Sequence, residues 1–506
     1  MPHSTADHRP RDPDRAELAV VGAGPAGLAA AVKAADHGLG VVLLDAAVAP
    51  GGQYYRSPAD GLGATRPAAL HHRWPVFAEL SSRLAAHRDS GAIRHLPDHH
   101  VWTVERGVGG DWILHAVTGA EGERRSAVRA GRLLLASGAH ERQLPFPGWT
   151  LPGVVSAAGA QAMLKSGLVL PGRRMVVAGS GPLLQAVALS LARAGASVPA
   201  LVEASGYGGY ARAPRVLATN PGKVVEGARY AAALARSGVR VLTHRAVTDV
   251  HGDNRVEGVT VSRLDRRWRP VPGSGREIAC DALAVGHGLV PQLELAVAAG
   301  CGTCVSADGT HAVVLDEQLR TTTQGVWAAG ETGGVGGVEL ALCEGELAAL
   351  SVIRELRGGE RRGEARRTVA LRRSRRRMRA FAALMGAVHR PGEGWNAWLT
   401  SDTEVCRCEE VTAGRIRTAC EELGAADTRT VKLLTRAGMG WCQGRTCGFA
   451  VRELAGAHGT GHSDGHGTGH GTGHGTGVGG APEGPDRRPL ACPVTLSTLA
   501  DLADPG

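Results

Sequence analysis

Residues 18–45 read LAVVGAGPAGLAAAVKAADHGLGVVLLD. An apolar run leads into a glycine-rich turn, an alanine-rich stretch of helical length follows, and a second apolar run ends in an acid. Short strands buried inside a parallel sheet read as continuous apolar runs, and a helical crossover must connect them. The stretch therefore predicts a βαβ unit and an α/β fold.

The turn of this unit, GAGPAG at residues 22–27, has its glycines in GxGxxG order. Gly22 permits the tight turn, Gly24 lets the backbone approach a pyrophosphate, and Gly27 lets the helix pack closely on the strand. The first amides of the helix face the phosphates. Asp45 ends the next strand, where a carboxylate can accept hydrogen bonds from ribose hydroxyls. The predicted nucleotide-binding residues are Gly22, Gly24, Pro25, Ala26, Gly27 and Asp45.

A second βαβ unit spans residues 174–203, RMVVAGSGPLLQAVALSLARAGASVPALVE. It keeps Gly179 and Gly181 but has Leu184 where the third glycine would stand. Glu203 ends its last strand and could bind a ribose, and its charge would favour NAD over a 2′-phosphorylated nucleotide. The sequence leaves open whether this domain binds NAD or is purely architectural. Strands that end in glycine recur at LLLASG (133–138) and GVWAAGE (325–331), which predicts a second nucleotide fold nested within the first.

Four of the ten cysteines form the pattern C-x-C-x33-C-x4-C: Cys406, Cys408, Cys442 and Cys447. Four thiolates suit zinc or an iron–sulfur cluster. Zinc ligands usually pair as C-x2–4-C, whereas this uneven spacing suits ligands shared between two irons. The glycines of GMGWCQGRTCG (438–448) leave backbone amides free to approach cluster sulfides. A [2Fe-2S] cluster is the favoured interpretation, with zinc and unliganded thiols as the alternatives.

The remaining cysteines carry weaker signals. Cys301 and Cys304 form a CxxC motif, which in some flavoproteins is a redox pair. They follow VPQLELAVAAG, a predicted surface helix outside the inserted domain, so we interpret them as packing or surface thiols. The isolated cysteines are predicted to be core or incidental residues: Cys280, Cys343, Cys420 and Cys492.

Five segments together resemble a known group of flavoproteins: GAGPAG, PGGQYYR (50–56), ASGAHERQLPFPGWTLPGV (136–154), GSGPLLQA (179–186) and TTTQGVWAAGE (321–331). The chain resembles flavoproteins of the FAD/NAD(P)-dependent pyridine-nucleotide-disulfide-oxidoreductase type. More specifically, it resembles the large (α or A) subunits of opine oxidase, hydrogen cyanide synthase, and dye-linked proline or D-hydroxyproline dehydrogenase. The cysteine segment resembles the small helical [2Fe-2S] domain named after bacterioferritin-associated ferredoxin. The resemblance spans residues 16 to 455.

This resemblance implies FAD in the first site and an NAD-like second domain. It places Gly51, Gly52 and Gln53 near the flavin, and Ala136, Ser137 and Gly138 beside the adenine half. The acid expected on the ribityl chain follows Gly330 and is Glu331 here, where the group usually has aspartate. The longer side chain can still accept the hydroxyl hydrogen bonds.

Charge and hydropathy restrict the function classes. The net charge of +9 is carried entirely by residues 354–379, where twelve arginines stand against three glutamates. No aromatic residues or nucleic-acid-binding motifs accompany them, which favours a solvated connector or a surface for an acidic partner over nucleic-acid binding. The N-terminus shows no apolar stretch after its charges and no long apolar run follows, so we expect a cytoplasmic protein without a transmembrane segment.

The predicted architecture is α/β, with two nested Rossmann-like dinucleotide-binding domains (FAD and NAD(P)-like) and a small C-terminal helical [2Fe-2S] domain. In the Gly/His-rich tail, histidine recurs every four residues from 458 to 474, but glycine disfavours a helix, so a linker is favoured over a weak metal-binding tract. The predicted segments are a disordered N-terminus (1–15), the first half of the FAD-binding domain (16–150), the inserted NAD(P)-like domain (170–285), the second half of the FAD-binding domain (286–352), a basic connector (353–400), the [2Fe-2S] domain (401–455) and a flexible tail (456–506).

A flavin and a [2Fe-2S] cluster in one chain predict an electron-transfer subunit that links hydride chemistry to a one-electron acceptor. The resemblance implies that a separate, smaller D-amino-acid-oxidase-like FAD subunit oxidises the amine. No motif for clamping a substrate carboxylate is recognisable, although Arg56 and Arg142 are the nearest cations by sequence. Two alternatives stay open: a self-sufficient NADH-dependent reductase, and an iron-responsive docking module without redox turnover. The sequence assigns no catalytic residue and no substrate.

Overall fold

The computed structural model describes residues 15–119, 124–359, 362–459 and 490–500. Its N-terminal region builds the sheet that the opening stretch predicts. The elements are β1 (Arg15–Val21), α1 (Pro25–Asp36), β2 (Val41–Leu44), α2 (Trp74–Asp89), β3 (Ile93–Leu96), β4 (His100–Arg106), β5 (Trp112–Thr118), β6 (Arg124–Leu135) and β7 (Ala139–Glu141).

The first sheet has the strand order β3-β2-β1-β6-β5-β4. β1 pairs in parallel with β2 and with the second half of β6, while β4, β5 and β6 form an antiparallel extension. Every residue of β2 is buried, as expected for a strand with helices or sheet on both of its faces. The carboxyl ends of β1 and β2 therefore meet at one edge, beside the start of α1.

The inserted region forms a second parallel sheet of order β11-β10-β9-β15-β8 and an antiparallel sheet β12-β13-β14. It begins earlier than the predicted residue 170, because β8 already pairs with β15. The elements are β8 (Val154–Ser156), α3 (Ala157–Gly167), β9 (Arg174–Gly179), α4 (Leu183–Arg193), β10 (Ser197–Glu203), α5 (Pro214–Thr219), α6 (Pro221–Arg236), β11 (Arg240–Thr243), β12 (Arg245–His251), β13 (Gly258–Arg263), β14 (Arg276–Ala279) and β15 (Ala282–Gly286).

The chain returns from the insert through β16 (Leu289–Pro291), which pairs antiparallel with β7. β19 (Val326–Ala328) then adds to the first sheet in parallel beside β6, which confirms the nested arrangement. The other returning elements are α7 (Glu294–Ala298), β17 (Thr303–Val305), β18 (His311–Val313) and α8 (Val338–Arg357). α7 is not the predicted surface helix, because three of its five residues are buried.

The basic segment is not a solvated connector where the structure describes it. Residues Arg362–Val388 form one long helix, α9, that packs against α8. Its acidic partners belong to the same chain, since Arg367 pairs with Glu346 and Arg375 pairs with Glu344. The charges can be read from the sequence, but their pairing with carboxylates of the same chain cannot.

The C-terminal region comprises β20 (Glu404–Cys406), β21 (Val411–Thr412), α10 (Ala413–Glu421), α11 (Thr428–Thr435), α12 (Gly448–Gly459) and α13 (Leu496–Ala500). It shares a hydrophobic core with the inserted region. The Trp398 ring stacks on Trp268 with centroids 6.0 Å apart, and its Nε1 donates to the Trp268 carbonyl. Residues 393–398 are therefore packed structure and do not continue a connector.

The two ends of the chain are described incompletely. The predicted disordered N-terminus and most of the Gly/His-rich tail lie outside the described residues. Residues 490–500 differ from the predicted flexible tail, because the Ala491 amide donates to the Trp102 carbonyl of β4 at 2.8 Å. Among the described helices, none is both long and apolar enough to cross a membrane.

Candidate functional site

The first glycine turn (residues 22–27) is built for close backbone approach. A Cβ atom at Gly22 would collide with the carbonyl of Ala136, and one at Gly27 would collide with the carbonyl of Gly22. Gly24 is the N-cap residue of α1 and provides no side-chain cap, so the amides of the first turn keep their hydrogen-bonding capacity. This is the arrangement that a pyrophosphate needs at a helix N-terminus.

Asp45 lies just beyond β2, at the same edge of the sheet. Its Oδ2 is buried without a hydrogen-bond partner, and burial raises the pKa of the carboxyl group to about 6. Arg56 lies nearby and lowers that pKa, and its Nε is also buried without a partner. A buried acceptor and a buried donor that lack partners fit the hydroxyl and phosphate groups of a dinucleotide.

Two further predicted segments border this turn. The Gly51 amide donates to the Ala23 carbonyl at 2.8 Å, so the loop of Gly51, Gly52 and Gln53 lies against the glycine turn, with Gln53 exposed. On the other side are Ala136, Ser137 and Gly138, where Ser137 Oγ donates to the Gln292 carbonyl at 2.9 Å. The structure thus brings all of the predicted FAD-binding segments to one edge of the sheet.

Glu331 lies in the acid turn (residues 330–337), which precedes α8. Its two carboxylate oxygens accept hydrogen bonds from the amides of Gly336 and Gly337 at 2.8 and 3.0 Å. Burial raises the pKa of this carboxyl group. The side chain is thus held by its own turn, and each oxygen keeps a second lone pair for a ligand hydroxyl.

Sequence reasoning missed the group that fixes this turn. Glu344 of α8 is fully buried and accepts from the Gly330 amide at 3.1 Å. Arg375 and Arg379 of α9 bind its carboxylate at 2.9 and 2.7 Å. Arg379 also donates to the carbonyls of Gly330 and Gly334. The spacing of these two arginines by one helical turn was the available signal, but their partner is not readable from sequence.

The second glycine turn (residues 179–184) has a different environment. A Cβ at Gly179 would collide with the Gly286 carbonyl, and Leu184 is buried in the helix–sheet contact. Glu203 is also fully buried, and its two oxygens accept from the amides of Gly181 and Ser205, both at 3.0 Å. The predicted ribose-binding acid is therefore held by its own backbone and has no exposed surface.

The four cysteines of the C-x-C-x33-C-x4-C pattern meet in the structure. Cys406 lies against Cys447, and Cys408 lies against Cys442. The Gly438 amide donates to Cys406 Sγ at 3.4 Å, as the glycine-rich loop predicts. The hydrogen bond from Cys447 and other donors lower the pKa of Cys406 to about 6, which favours the ligating thiolate.

The arrangement of these thiols suits a dinuclear site. Two pairs of thiols agree better with two irons than with one tetrahedral zinc. One pair is buried and the other reaches the surface, since Cys408 is exposed and Cys442 is half-buried.

The other cysteines lie apart from this site. Cys301 is buried, with its Sγ 3.4 Å from Thr321 Oγ1, and burial raises its pKa, while Cys304 is exposed on β17. A raised pKa disfavours the thiolate that a redox pair needs. Cys280, Cys343 and Cys420 are buried, and Cys492 is half-buried.

Arg142 contacts both the returning part of the first domain and the C-terminal domain. It is 2% exposed, pairs with Asp308 at 2.8 Å, and lies over the ring of Phe449 of α12 at 4.7 Å. Next to it, Arg445 of the cysteine loop pairs with Glu294 at 3.1 Å. An open cleft between the β7–β16 pair and the cysteine loop is lined by Arg142, Glu294, Arg445 and Phe449. Arg142 is therefore an interdomain contact in this structure.

Comparisons with known proteins agree with this geometry. The sequence pattern of pyridine nucleotide-disulphide oxidoreductases matches residues 16–345, and that of the BFD-like [2Fe-2S] binding domain matches residues 404–456. Hydrogen cyanide synthase subunit HcnB of Pseudomonas aeruginosa is 35% identical over 456 residues, which cover 87% of this chain and 94% of HcnB. The A subunit of the opine oxidase of Rhizobium meliloti is 34% identical over 448 residues, which cover 86% and 91% of the two chains.

A solved structure shares the fold. The L-proline dehydrogenase from P. horikoshii superposes with a TM-score of 0.63 at 20% identity, covering 96% of this chain and 79% of that one. The predicted fold class and the predicted FAD and [2Fe-2S] cofactors are confirmed, in preference to zinc or free thiols. The chain belongs to the pyridine nucleotide-disulphide oxidoreductase family and is an FAD-dependent oxidoreductase with a C-terminal BFD-like [2Fe-2S] domain.

Proposed function

We propose that this chain is the electron-transfer subunit of a dehydrogenase or oxidase complex that acts on an amine or amino acid of the opine, proline, hydroxyproline or glycine type. The observation that carries the proposal is that one chain has both a dinucleotide site and a four-cysteine site, and that Arg142 joins the two domains by pairing with Asp308 and lying over Phe449. Bound FAD exchanges electrons in pairs or singly, and a [2Fe-2S] cluster exchanges them singly.

The residues that would hold FAD each meet a different portion of it. The first glycine turn, with Pro25 and the amides of Ala26 and Gly27, surrounds the space for the pyrophosphate. Asp45 provides the acceptor for the adenosine ribose, and Arg56 provides a cation for phosphate. The acid turn, with Gly330 and Glu331, borders the ribityl position.

Four thiolates would hold the cluster: Cys406, Cys408, Cys442 and Cys447. Cys406 and Cys447 are the buried pair, and Arg445 of the same loop pairs with Glu294 of α7. The exposed Cys408 and the 82% exposed Trp441 lie on the outer side. We propose that a one-electron acceptor docks there, since exposed aromatic side chains are common at interaction sites.

A smaller D-amino-acid-oxidase-like FAD subunit would provide the amine-oxidising site. Two relatives that this chain covers almost completely are each named as one subunit of an enzyme, which supports a multi-subunit complex. In this chain, the Arg142 guanidinium is paired with Asp308 and lies over the Phe449 ring, which supports a structural role for it between the domains. The chain would relay electrons, and its partner would select the substrate.

A dye-reduction assay tests this proposal. The purified chain alone, and the chain co-expressed with a smaller flavoprotein encoded beside it, are each given proline, hydroxyproline, glycine and opines with an artificial electron acceptor. We expect turnover only when both proteins are present, and its loss in a complex that carries Cys442→Ser. Amine-dependent turnover by the single chain would place the oxidation site in this chain and refute the relay function.

If the Cys442→Ser complex lost its cluster and kept full turnover with an acceptor that docks on the cysteine domain, the cluster would be dispensable. That result would favour the docking-module alternative. The cluster content is measured independently by acid-labile sulfide, so loss of the cluster and loss of activity are separate readouts.

A further inference from the structure

The two dinucleotide domains of this chain can be compared directly, because each has a strand, a glycine turn, a helix, and a strand that ends in an acid. In the first domain, Asp45 Oδ2 is buried without a partner. In the second, Glu203 is 0% exposed and both of its carboxylate oxygens are hydrogen-bonded. The first acid is ready for a ribose, whereas the second is covered by another segment of the chain.

The covering residue is His389, which directly follows α9. Its carbonyl oxygen accepts from Ser180 Oγ at 3.1 Å, and Ser180 stands between the two glycines of the second glycine turn. Its Nδ1 lies 3.4 Å from Glu203 Oε1. His389 therefore occupies the space over the turn and the acid, which is where a bound dinucleotide places its adenosine ribose.

Several contacts hold His389 in this position. Its Nε2 lies 3.1 Å from the Tyr210 hydroxyl, and its ring meets that of Tyr207 edge-on at 6.0 Å. Tyr210 in turn stacks on Phe381 of α9 at 6.1 Å. The carbonyl of Arg377 in α9 accepts a hydrogen bond from Asn220 Nδ2 at 3.3 Å. The segment that covers the site is thus anchored by a packed helix and is not a loop that lies there by chance.

We infer that His389 closes the second dinucleotide site from within the chain and thereby determines electron-donor specificity against NADH and NADPH. A nucleotide can bind only in the fraction of molecules in which His389 has moved away, and its apparent affinity falls by that fraction. The amine-oxidising partner then remains as the electron source. This last step rests on the proposed function, whereas the closure of the site does not.

Equilibrium dialysis with NAD⁺ and NADH tests the inference on the full-length, FAD-loaded chain. We expect no saturable binding to the wild type, and binding at least about tenfold tighter to His389→Ala, because the closed fraction is lost. His251→Ala is the matched control: it removes an imidazole from β12 of the same domain, where its Nε2 contacts Thr260 Oγ1 at 2.6 Å. FAD content and thermal unfolding show whether each variant has folded.

Saturable micromolar binding of NAD⁺ or NADH to the wild type would overturn the inference. So would an absence of any gain in His389→Ala, or an equal gain in His251→Ala. If His389→Ala does not fold, Tyr210→Phe serves in its place, since it removes only the hydroxyl that holds Nε2; a gain of the same sign is expected, and no gain would refute the assignment. Because the readout is nucleotide binding, the inference and the proposed amine-oxidising function can fail independently.

Discussion

Replacing Arg379 by methionine is expected to loosen the acid turn and weaken FAD binding. Arg379 is the residue of α9 that binds both the buried Glu344 and the carbonyls of Gly330 and Gly334. Methionine has nearly the same helix propensity as arginine and a similar length, so α9 itself should persist. The substitution therefore removes the contact with the turn and leaves the helix in place.

The structure sets the size of the effect. Glu344 is 0% exposed at its side chain and Arg379 is 21% exposed, so the pair is largely removed from water. Removing one partner of a buried ion pair costs about 3–5 kcal/mol. Arg379 binds both carboxylate oxygens, and Arg375 remains 2.9 Å from one of them, Oε1. Because Arg375 retains some of the compensation, we expect a loss of about 2–3 kcal/mol. If half of this free energy is lost only from the FAD-bound conformation of the turn, the dissociation constant of FAD rises by about tenfold.

The assay is FAD release followed by flavin fluorescence, together with thermal unfolding of the loaded protein. Arg376→Met is the matched control in the same helix, because Arg376 is 69% exposed and pairs with an exposed Glu317. Such surface pairs contribute little, so we expect no measurable change. Arg379→Lys should give an intermediate result, since an ammonium group cannot bind the carboxylate and two carbonyls in the same fixed geometry.

Equal FAD affinity and equal melting temperature in Arg379→Met and Arg376→Met would refute this reasoning. That result would mean that the acid turn is held by its own backbone contacts, and that the contacts from α9 are incidental. Weaker FAD binding in both variants would instead indicate a general loss of positive charge along α9.

The cysteine, ribose and docking sites each give one more testable expectation. Cys442→Ser should abolish the cluster absorbance and the acid-labile sulfide. The double replacement of Cys301 and Cys304 by serine should leave the rates of flavin reduction and reoxidation nearly unchanged. Loss of turnover in a double variant that retains its flavin would contradict the assignment of these two cysteines as packing or surface thiols. FAD binding should weaken as the pH falls below about 6, because ribose hydroxyls favour the ionised Asp45 and binding then releases a proton. In a titration of FAD affinity from pH 5 to 8, Asp45→Asn should bind FAD more weakly and show a flatter pH profile. A wild-type profile as flat as that of the variant would count against the assignment. Trp441→Ala should raise the KM for a protein electron acceptor while the cluster and FAD contents stay constant; an unchanged KM would remove this surface from the proposed docking site.

Local patterns in the sequence were sufficient for the architecture. The glycine turns and the acids at strand ends each extend over about thirty residues or fewer, and their chemistry requires particular residue types at particular separations. The cysteine pattern spans a longer distance, but four thiols in one small domain have few other interpretations. These signals do not depend on how distant elements pack, which is why the fold class and the [2Fe-2S] cluster could be predicted, whereas FAD followed from the family resemblance.

Contacts between distant residues decided the rest. Arg379 and Glu344 are 35 residues apart in sequence, and Ser180 and His389 are 209 apart. From sequence, the arginine-rich stretch looked solvated, because nothing local shows that buried carboxylates lie beneath it. Likewise, Glu203 carried the pattern of a ribose-binding acid, and only the packing of α9 revealed that His389 covers it. A charge or an acceptor has a function that depends on its partner, and in this protein those partners are supplied by tertiary structure.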